Sequence, residues 1–479
     1  MTFSGPLFVI GTLLATAALL QLLRRWTHLM AWLALGVAAG VSTLIALTPL
    51  GQSVSLGPVT VNMGAPLSVW GRLLVIEPVD RLPIMFIGYT AAMLFLVAWR
   101  LLPHSNFFPS GLAAVAMLMG AMMVQQVVFA ALLIEIAALL TLFPLQEPLV
   151  DARGNIYGGK AKGGLQYLVY ATLALPGLMI TQLLLEQYAI FPGDVGLLES
   201  ATILLGLSLA ILLGAVPFQS WLSSVAMDGS PPVVTFLFTV NVGTVWFLLL
   251  AYLQNYRWLS DQAAFGSLFT SLGLLMMVLG GALAASQRRL GRMVGYATLV
   301  DNGAMFVALG ARQTAGLALT LVILMARPLA LGLMTLGLDG LRRLGGGEDQ
   351  IDDLTGAAWV APWRTLAFMI GGIAMAGFPL SLGFAARWGL YRLIAEANLF
   401  QATLALLGSA GVMMGLVSSA RMLLAPVPAQ RRFVSVPEDP VVLVLILLLV
   451  GGILFLGVFP QLASQVALQT AQGFTFFTQ

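Results

Sequence analysis

Apolar runs of roughly 20 residues recur about fourteen times along this chain, with short polar breaks between them. A helix of that length just crosses the hydrocarbon core of a bilayer. Hydrocarbon offers backbone amides no water to bond, so a run crossing it satisfies them internally, as a helix does. The runs fall near 5–23, 29–48, 81–100, 108–125, 126–145, 164–185, 200–217, 231–253, 264–284, 293–311, 314–338, 361–388, 399–424 and 440–459. Charge is correspondingly scarce. Only 9% of residues are charged and 59% are hydrophobic, against about 25% charged in soluble domains. The expected fold is an all-α polytopic membrane protein forming one transmembrane domain over residues 1–479. The first run lacks a basic leader, so it reads as a span rather than a cleavable signal. Between the second and third runs, Gly51–Met63 alternates polar and apolar residues without charge, which suits a short hairpin at the membrane surface.

Several kinds of chemistry are excluded at this level. Cysteine is absent and there are two histidines, His28 and His104, both in apparent loops. Thiol chemistry, iron–sulfur ligation and a histidine metal or haem centre are therefore not expected, nor is any cofactor or catalytic residue. A net charge of +3 is too small to suggest nucleic acid. Gly345–Gly347 lacks the Lys-Ser/Thr pair of a phosphate-binding loop. Most of the 22 basic residues fall after odd-numbered runs, among them Arg24, Arg25, Arg153, Lys160, Lys162, Arg288, Arg289, Arg292, Arg342, Arg343, Arg364, Arg431 and Arg432. The positive-inside rule then places those loops in the cytoplasm and both termini on the non-cytoplasmic side of the cell inner membrane.

Against this apolar background a few ionisable groups stand out. Glu135 lies mid-way along the fifth run, Asp301 along the tenth, Arg327 in the eleventh and Arg387 in the twelfth; Asp339 ends the eleventh and reads as interfacial. A charge at membrane depth costs on the order of 2.5–3.5 kcal/mol on insertion scales, so such residues face protein or water and mark ion pathways. Proline breaks accompany them. Pro379, within Ala376–Gly389 (AGFPLSLGFAARWG), precedes Arg387 by two turns, and Gly377 and Gly383 loosen the same stretch. Pro217 and Pro232 bracket a second break, GAVPFQSWLSSVAMDGSPP. Proline removes a helical N–H and frees a carbonyl. Discontinuous helices at corresponding places in two halves point to a transporter's ion site. The fifth and tenth runs are five positions apart, as are the seventh and twelfth. That spacing predicts two inverted five-helix repeats, 108–253 and 264–424, each with a discontinuous helix.

Four stretches carry a family resemblance. Leu133–Leu139 (LIEIAAL) resembles a buried-glutamate helix, with Glu135 as the glutamate. Val216–Val233 (VPFQSWLSSVAMDGSPPV) is similar to the turn VPFHxWLPDxxxGxPxPV. Arg292–Gly303 (RMVGYATLVDNG) is similar to KRLLAYSSISHxG, with Asp301 in the histidine position. Ala376–Trp388 looks like AGIPPTxGFxGKF, with Arg387 in the terminal lysine position. These patterns belong to the antiporter-like membrane subunits of respiratory complex I and to the related hydrogenase and multisubunit cation/proton antiporter subunits. The matches run through most of residues 108–425.

The resemblance implies a proton-translocating membrane-arm subunit of an NADH:quinone oxidoreductase, without a redox centre. Its partners would be other membrane-arm subunits, the lipid bilayer, protons and internal water. The proton path would run through Glu135, Asp301, Arg327 and Arg387. Departures from the pattern matter as much. The family lysine before the first break falls at Leu212, and a second central lysine falls at Asn241 or Val242. Lysine can release its proton when buried; arginine stays protonated, and leucine and valine carry none. Two alternatives follow. One is a connector or electrostatic relay that keeps the fold without its own pump. The other is a partner subunit of a hydrogenase, cation antiporter or inorganic-carbon uptake complex. On the bland readings, Glu135 keeps only a packing hydrogen bond and Asn241 an interhelical one, Arg387 is a static counter-ion, Asp301 pairs with Arg327, and Arg327 caps carbonyls freed by Pro328.

Overall fold

The computed structural model describes the 479-residue chain except residues 1, 51, 57–58, 70, 103–104, 151–155, 158–160, 263, 428–432, 434–437 and 478–479. His104, Arg153, Lys160, Arg431 and Arg432, used above for loop chemistry and topology, lie outside the described residues. Nineteen α-helices are described: α1 Gly5–Leu22, α2 Thr27–Leu47, α3 Arg81–Leu101, α4 Phe107–Met123, α5 Val127–Leu145, α6 Ala161–Ile190, α7 Val195–Leu212, α8 Ser220–Asp228, α9 Pro231–Phe236, α10 Val242–Asn255, α11 Arg257–Asp261, α12 Phe265–Ala285, α13 Leu290–Gly310, α14 Thr314–Leu344, α15 Pro362–Ala376, α16 Leu382–Ala397, α17 Leu399–Leu423, α18 Pro440–Val458 and α19 Gln461–Gly473. Among the described residues, twelve helical stretches are long and apolar enough to cross a membrane. Helix α4 is apolar but shorter at 17 residues, and α15 and α16, of 15 and 16 residues, flank a break.

Strands are few. Ser53–Leu56 and Val59–Asn62 form an antiparallel hairpin where the alternating pattern lies, and Thr2–Ser4 joins it in parallel. Leu67–Val69 pairs with Arg72–Leu74, and a two-residue pair lies at Leu149–Val150 and Ile156–Tyr157.

The helices form two compact units. The first comprises residues 1–144, 168–213 and 236–252; the second comprises 145–167, 214–235 and 253–479. In the first unit, a phenylalanine cluster of Phe95, Phe107, Phe108 and Phe236 fills the core with ring centroids 5.4–6.3 Å apart. Lipid is as apolar as these side chains, so close packing rather than escape from water holds such helices together. In the second unit α12 packs on α13 and α17, and α14 packs on α13, α15, α16, α18 and α19. Contact between α12 and α13 depends on two facing glycines. A Cβ on Gly273 would lie 2.5 Å from the Gly303 carbonyl, and one on Gly303 would lie 2.7 Å from the Gly273 carbonyl.

Both breaks coincide with their prolines. Helix α7 stops at Leu212, Pro217 sits in the non-helical stretch, and α8 starts at Ser220. Pro231 and Pro232 open α9, where a missing N–H costs nothing. Helix α9 runs through a π-helical turn, Leu237–Asn241, into α10. At the other break, α15 closes on Gly377, whose φ of 75° is the left-handed cap conformation glycine adopts freely. Pro379 follows, and Ser381 caps α16 by accepting from the Phe384 N–H at 3.2 Å.

Three local expectations are corrected. Helix α14 continues to Leu344, so Arg342 and Arg343 are helical and not in a loop, and Asp339 is buried within the protein. Arg364 likewise belongs to α15, where it is buried and donates to the Leu336 carbonyl at 3.0 Å. His28 opens α2 instead of lying in a loop, and its Nδ1 accepts from Trp99 Nε1 at 2.8 Å.

Candidate functional site

Three of the four deep ionisable residues meet in the second unit. Asp301 is mid-way along α13, Arg327 is on α14 and Arg387 is on α16, just past the break. The Arg327 Nε donates to Asp301 Oδ2 at 2.7 Å, and the Arg387 Nη2 donates to Oδ1 at 2.9 Å. One carboxylate therefore bridges two guanidiniums, one on each oxygen. Exposure of the three side chains is 7%, 0% and 2% for Asp301, Arg327 and Arg387. Arg327 also donates through Nη2 to Asn302 Oδ1 at 2.7 Å and reaches Met305 Sδ at 3.1 Å.

Local structure explains the meeting. Met305 lies four residues after Asp301 and three after Asn302 on α13, spacings at which side chains are neighbours on the helix surface. The break at 377–381 starts α16 beside that face, and the stem of Arg387 passes over Gly377. A Cβ there would lie 2.2 Å from Arg387 Cγ. A cavity of about 20 Å³, lined by all three charged residues, adjoins the cluster with Ser381, Gly383 and Ile453 in its wall. That volume holds about one water-sized guest.

Glu135 belongs to the first unit and does not share this site. It is half-buried on α5 and accepts a 2.6 Å hydrogen bond from Thr172 Oγ1 of α6. Around it the face is apolar and exposed, with Ile136, Leu139, Phe143, Val169 and Leu173. Among the described residues Glu135 makes no ion pair. The substituted lysine positions are all buried. Leu212 is the last residue of α7, Val242 is the first of α10, and Asn241 closes the π-helical turn, donating to Thr141 Oγ1 at 3.2 Å.

A second charged centre was not anticipated. Arg342 donates to Asp349 Oδ2 from Nη2 at 2.7 Å and from Nε at 3.1 Å. It also donates to the carbonyls of Gly229 (2.8 Å), Ala226 (2.8 Å) and Met227 (3.0 Å) at the C-terminal end of α8. Asp349 in turn accepts from the Gly291 N–H at 3.0 Å, in the first turn of α13. The pair thus fastens the end of the broken first segment to α13 and α14. Residues Asp339 and Arg343 form a further pair at 2.7 Å, and the hydroxyls of Thr235 and Thr335 bond to each other. Charged residues in the last turns of a helix look like loop residues in sequence, so only their alternation with buried Leu338 and Leu341 hinted at this. No group of three potential metal ligands occurs among the described residues.

Membrane-length helices, two proline-marked breaks and a carboxylate buried between arginines define a polytopic helical membrane protein with discontinuous helices. More particularly, the chain belongs to the NADH:quinone oxidoreductase/Mrp antiporter transmembrane family, whose pattern matches residues 167–415, just over half of its length. It is 27% identical over 248 residues to the NADH-quinone oxidoreductase subunit N of Acidithiobacillus ferrooxidans, covering 51% of this chain and 50% of that one. It is 29% identical over 263 residues to subunit N of Gemmatimonas aurantiaca, covering 53% and 48%. The chain spans about half the length of the curated relatives it matches. Its fold is that of a chain in an archaeal membrane-bound sulfane sulfur reductase, with a TM-score of 0.78 at 18% identity over 98% of this chain and 97% of that one. A chain of respiratory complex I from Thermus thermophilus gives 0.74 at 17% identity, over 98% and 100%.

Proposed function

We propose that this chain is an antiporter-like membrane-arm subunit of a complex I-type NADH:quinone oxidoreductase and takes part in its proton translocation without a redox centre of its own. The observation that carries the reading is the Asp301–Arg327–Arg387 cluster, a charged group set into a helix break inside a chain of this family. Both arginines keep their protons, so they act as fixed charges around the path. Glu135, with Thr172 as its donor and an apolar face around it, is the group that exchanges a proton, and a neighbouring membrane subunit covers that face. The repeats 108–253 and 264–424 are inverted copies, the chain makes about fourteen passes of the cytoplasmic membrane, and both termini lie outside.

Buried Leu212 and Val242 favour a second reading, in which this subunit relays charge between neighbours and lacks a complete path of its own. Reconstituted complex carrying Glu135→Gln separates the two. The pumping subunit loses protons moved per electron pair while quinone reduction persists. An unchanged ratio excludes a proton-carrying Glu135 and leaves the relay. Isolation of the native complex and identification of its subunits tests the parentage, and a hydrogenase or cation-antiporter assembly would refute it.

A further inference from the structure

A groove of about 430 Å³ lies in the second unit between α14, α16 and α19. Helix α14 runs antiparallel to α15 and α16, because a Cβ at Gly340 would touch Arg364, one at Gly371 would touch Met334, and one at Gly389 would touch Leu319. The start of α14 and the end of α16 therefore lie at the same end of this unit. There α14 lines the groove with Ala315, Ala318, Leu319 and Val322, and α16 with Gly389, Arg392, Leu393 and Glu396. Each set follows the i, i+3, i+4, i+7 spacing of a single helical face. Helix α19 buries Ala463, Ala467 and Ala471, and its Ser464, Gln465 and Leu468 form the third wall. Polarity is divided along the groove. The inner part, made by Ala318, Leu319, Val322 and Gly389, carries no polar side chain. Charge is confined to the last turns of α16, where Arg392 Nε and Glu396 Oε1 are 3.4 Å apart on side chains 78% and 67% exposed. Exposed pairs of this kind bind each other weakly, so both groups can exchange one another for a ligand.

We propose that this groove binds one bilayer phospholipid with a primary-amine headgroup of the ethanolamine type. An acyl chain lies against the inner part, the phosphate takes Arg392, and the ammonium donates to Glu396. Charge complementarity selects the headgroup. It carries an anion and a cation two carbons apart, and Arg392 and Glu396 offer the opposite charges one helical turn apart, about 5.4 Å. A choline headgroup has the same charges but no N–H to give Glu396, and a glycerol headgroup has no cation. Size separates a lipid from a partner protein. Two turns of a helix about 10 Å across fill roughly 800 Å³, more than the groove holds, whereas its volume falls in the range of small-ligand sites, about 300–1,000 Å³.

The test is native mass spectrometry of the purified full chain in detergent, supplemented with ethanolamine, choline or glycerol phospholipids of identical acyl chains. The unmodified chain should retain one ethanolamine lipid about threefold or more tightly than either of the others, the size an exposed charge contact confers. Glu396→Gln should erase the preference over choline, and Arg392→Gln should weaken retention of all three. Ala318→Trp keeps both charges but fills the inner groove, and should prevent retention. The comparison of lipids on the unmodified chain depends on no variant. Equal retention of the three lipids there, or unaltered retention by Ala318→Trp, overturns the proposal. The chain has no cysteine, so Ser464→Cys marks the groove with a single thiol. In the isolated native complex, crosslinking from that thiol to a partner protein instead of lipid would also overturn it. Neither readout requires turnover, so the result is independent of whether Glu135 carries protons.

Discussion

Removing Asp349 tests whether the Arg342 clamp holds the broken first segment in place. Asp349→Leu takes away the carboxylate that pairs with a guanidinium whose residue is 5% exposed, and also the acceptor for the Gly291 N–H. Breaking a buried pair from one side costs about 3–5 kcal/mol, because the other charge stays buried. Arg342→Met should also cost about 3–5 kcal/mol, since it strands the carboxylate and leaves three carbonyls at the C-terminal end of α8 without this donor. In the double variant both charges are gone. What remains is the loss of neutral hydrogen bonds, so the double change should cost less than the sum by about 2–3 kcal/mol. Equilibrium unfolding of the detergent-solubilised chain, run on all four proteins, measures that coupling. Strict additivity within about 0.5 kcal/mol would mean that Arg342 is satisfied by the carbonyls alone, and would refute the clamp.

Other expectations are simpler. Thr172→Val removes the hydroxyl that donates to Glu135 and should lower the proton-to-electron ratio of the assembled complex, while Thr172→Ser restores it. A ratio insensitive to both would show that the Thr172 bond does not position Glu135. Gly303→Ala drives a Cβ to within 2.7 Å of the Gly273 carbonyl and should destabilise the α12–α13 contact by about 1–3 kcal/mol in thermal unfolding. By contrast Gly36→Ala meets nothing within 4 Å and should be neutral or slightly stabilising. Leu212→Lys places an unpaired ammonium at a buried position, so it should destabilise the chain without adding transport; faster proton movement would show that only the lysine was missing.

Backbone chemistry made the breaks legible. Pro217 and Pro379 lack an N–H wherever they sit, and Gly377 can take the left-handed cap, so the interruption of α7–α8 and α15–α16 was written in residue type alone. Asp301 and Arg327 stood out because charge is rare in apolar runs, and their pairing followed from neighbouring helices. The facing of Glu135 was not legible. Hydropathy records that a segment is apolar and not which side meets another helix, and α5 is apolar all round. Nor was the extension of α14 past residue 338. Its last turns carry Asp339, Arg342 and Arg343, which an apolar count assigns to water; in the fold each is paired inside the protein. The π-helical turn at Leu237–Asn241 has no residue signature, since its fifth-residue hydrogen bonds arise from how the segment packs.

Two kinds of charged site emerge from these placements, and they suit different tasks. A proton carrier needs a group that can be charged or neutral at modest cost in each state, which calls for few partners and some access to a neighbour. Glu135 has one hydroxyl donor and a half-exposed setting. Asp301 has a guanidinium on each oxygen and almost no exposure, so it is held by fixed partners on two other helices. On the proposed function, the α13–α14–α16 cluster supplies fixed charge within the second unit, and Glu135 on α5 is the group whose replacement tests proton exchange.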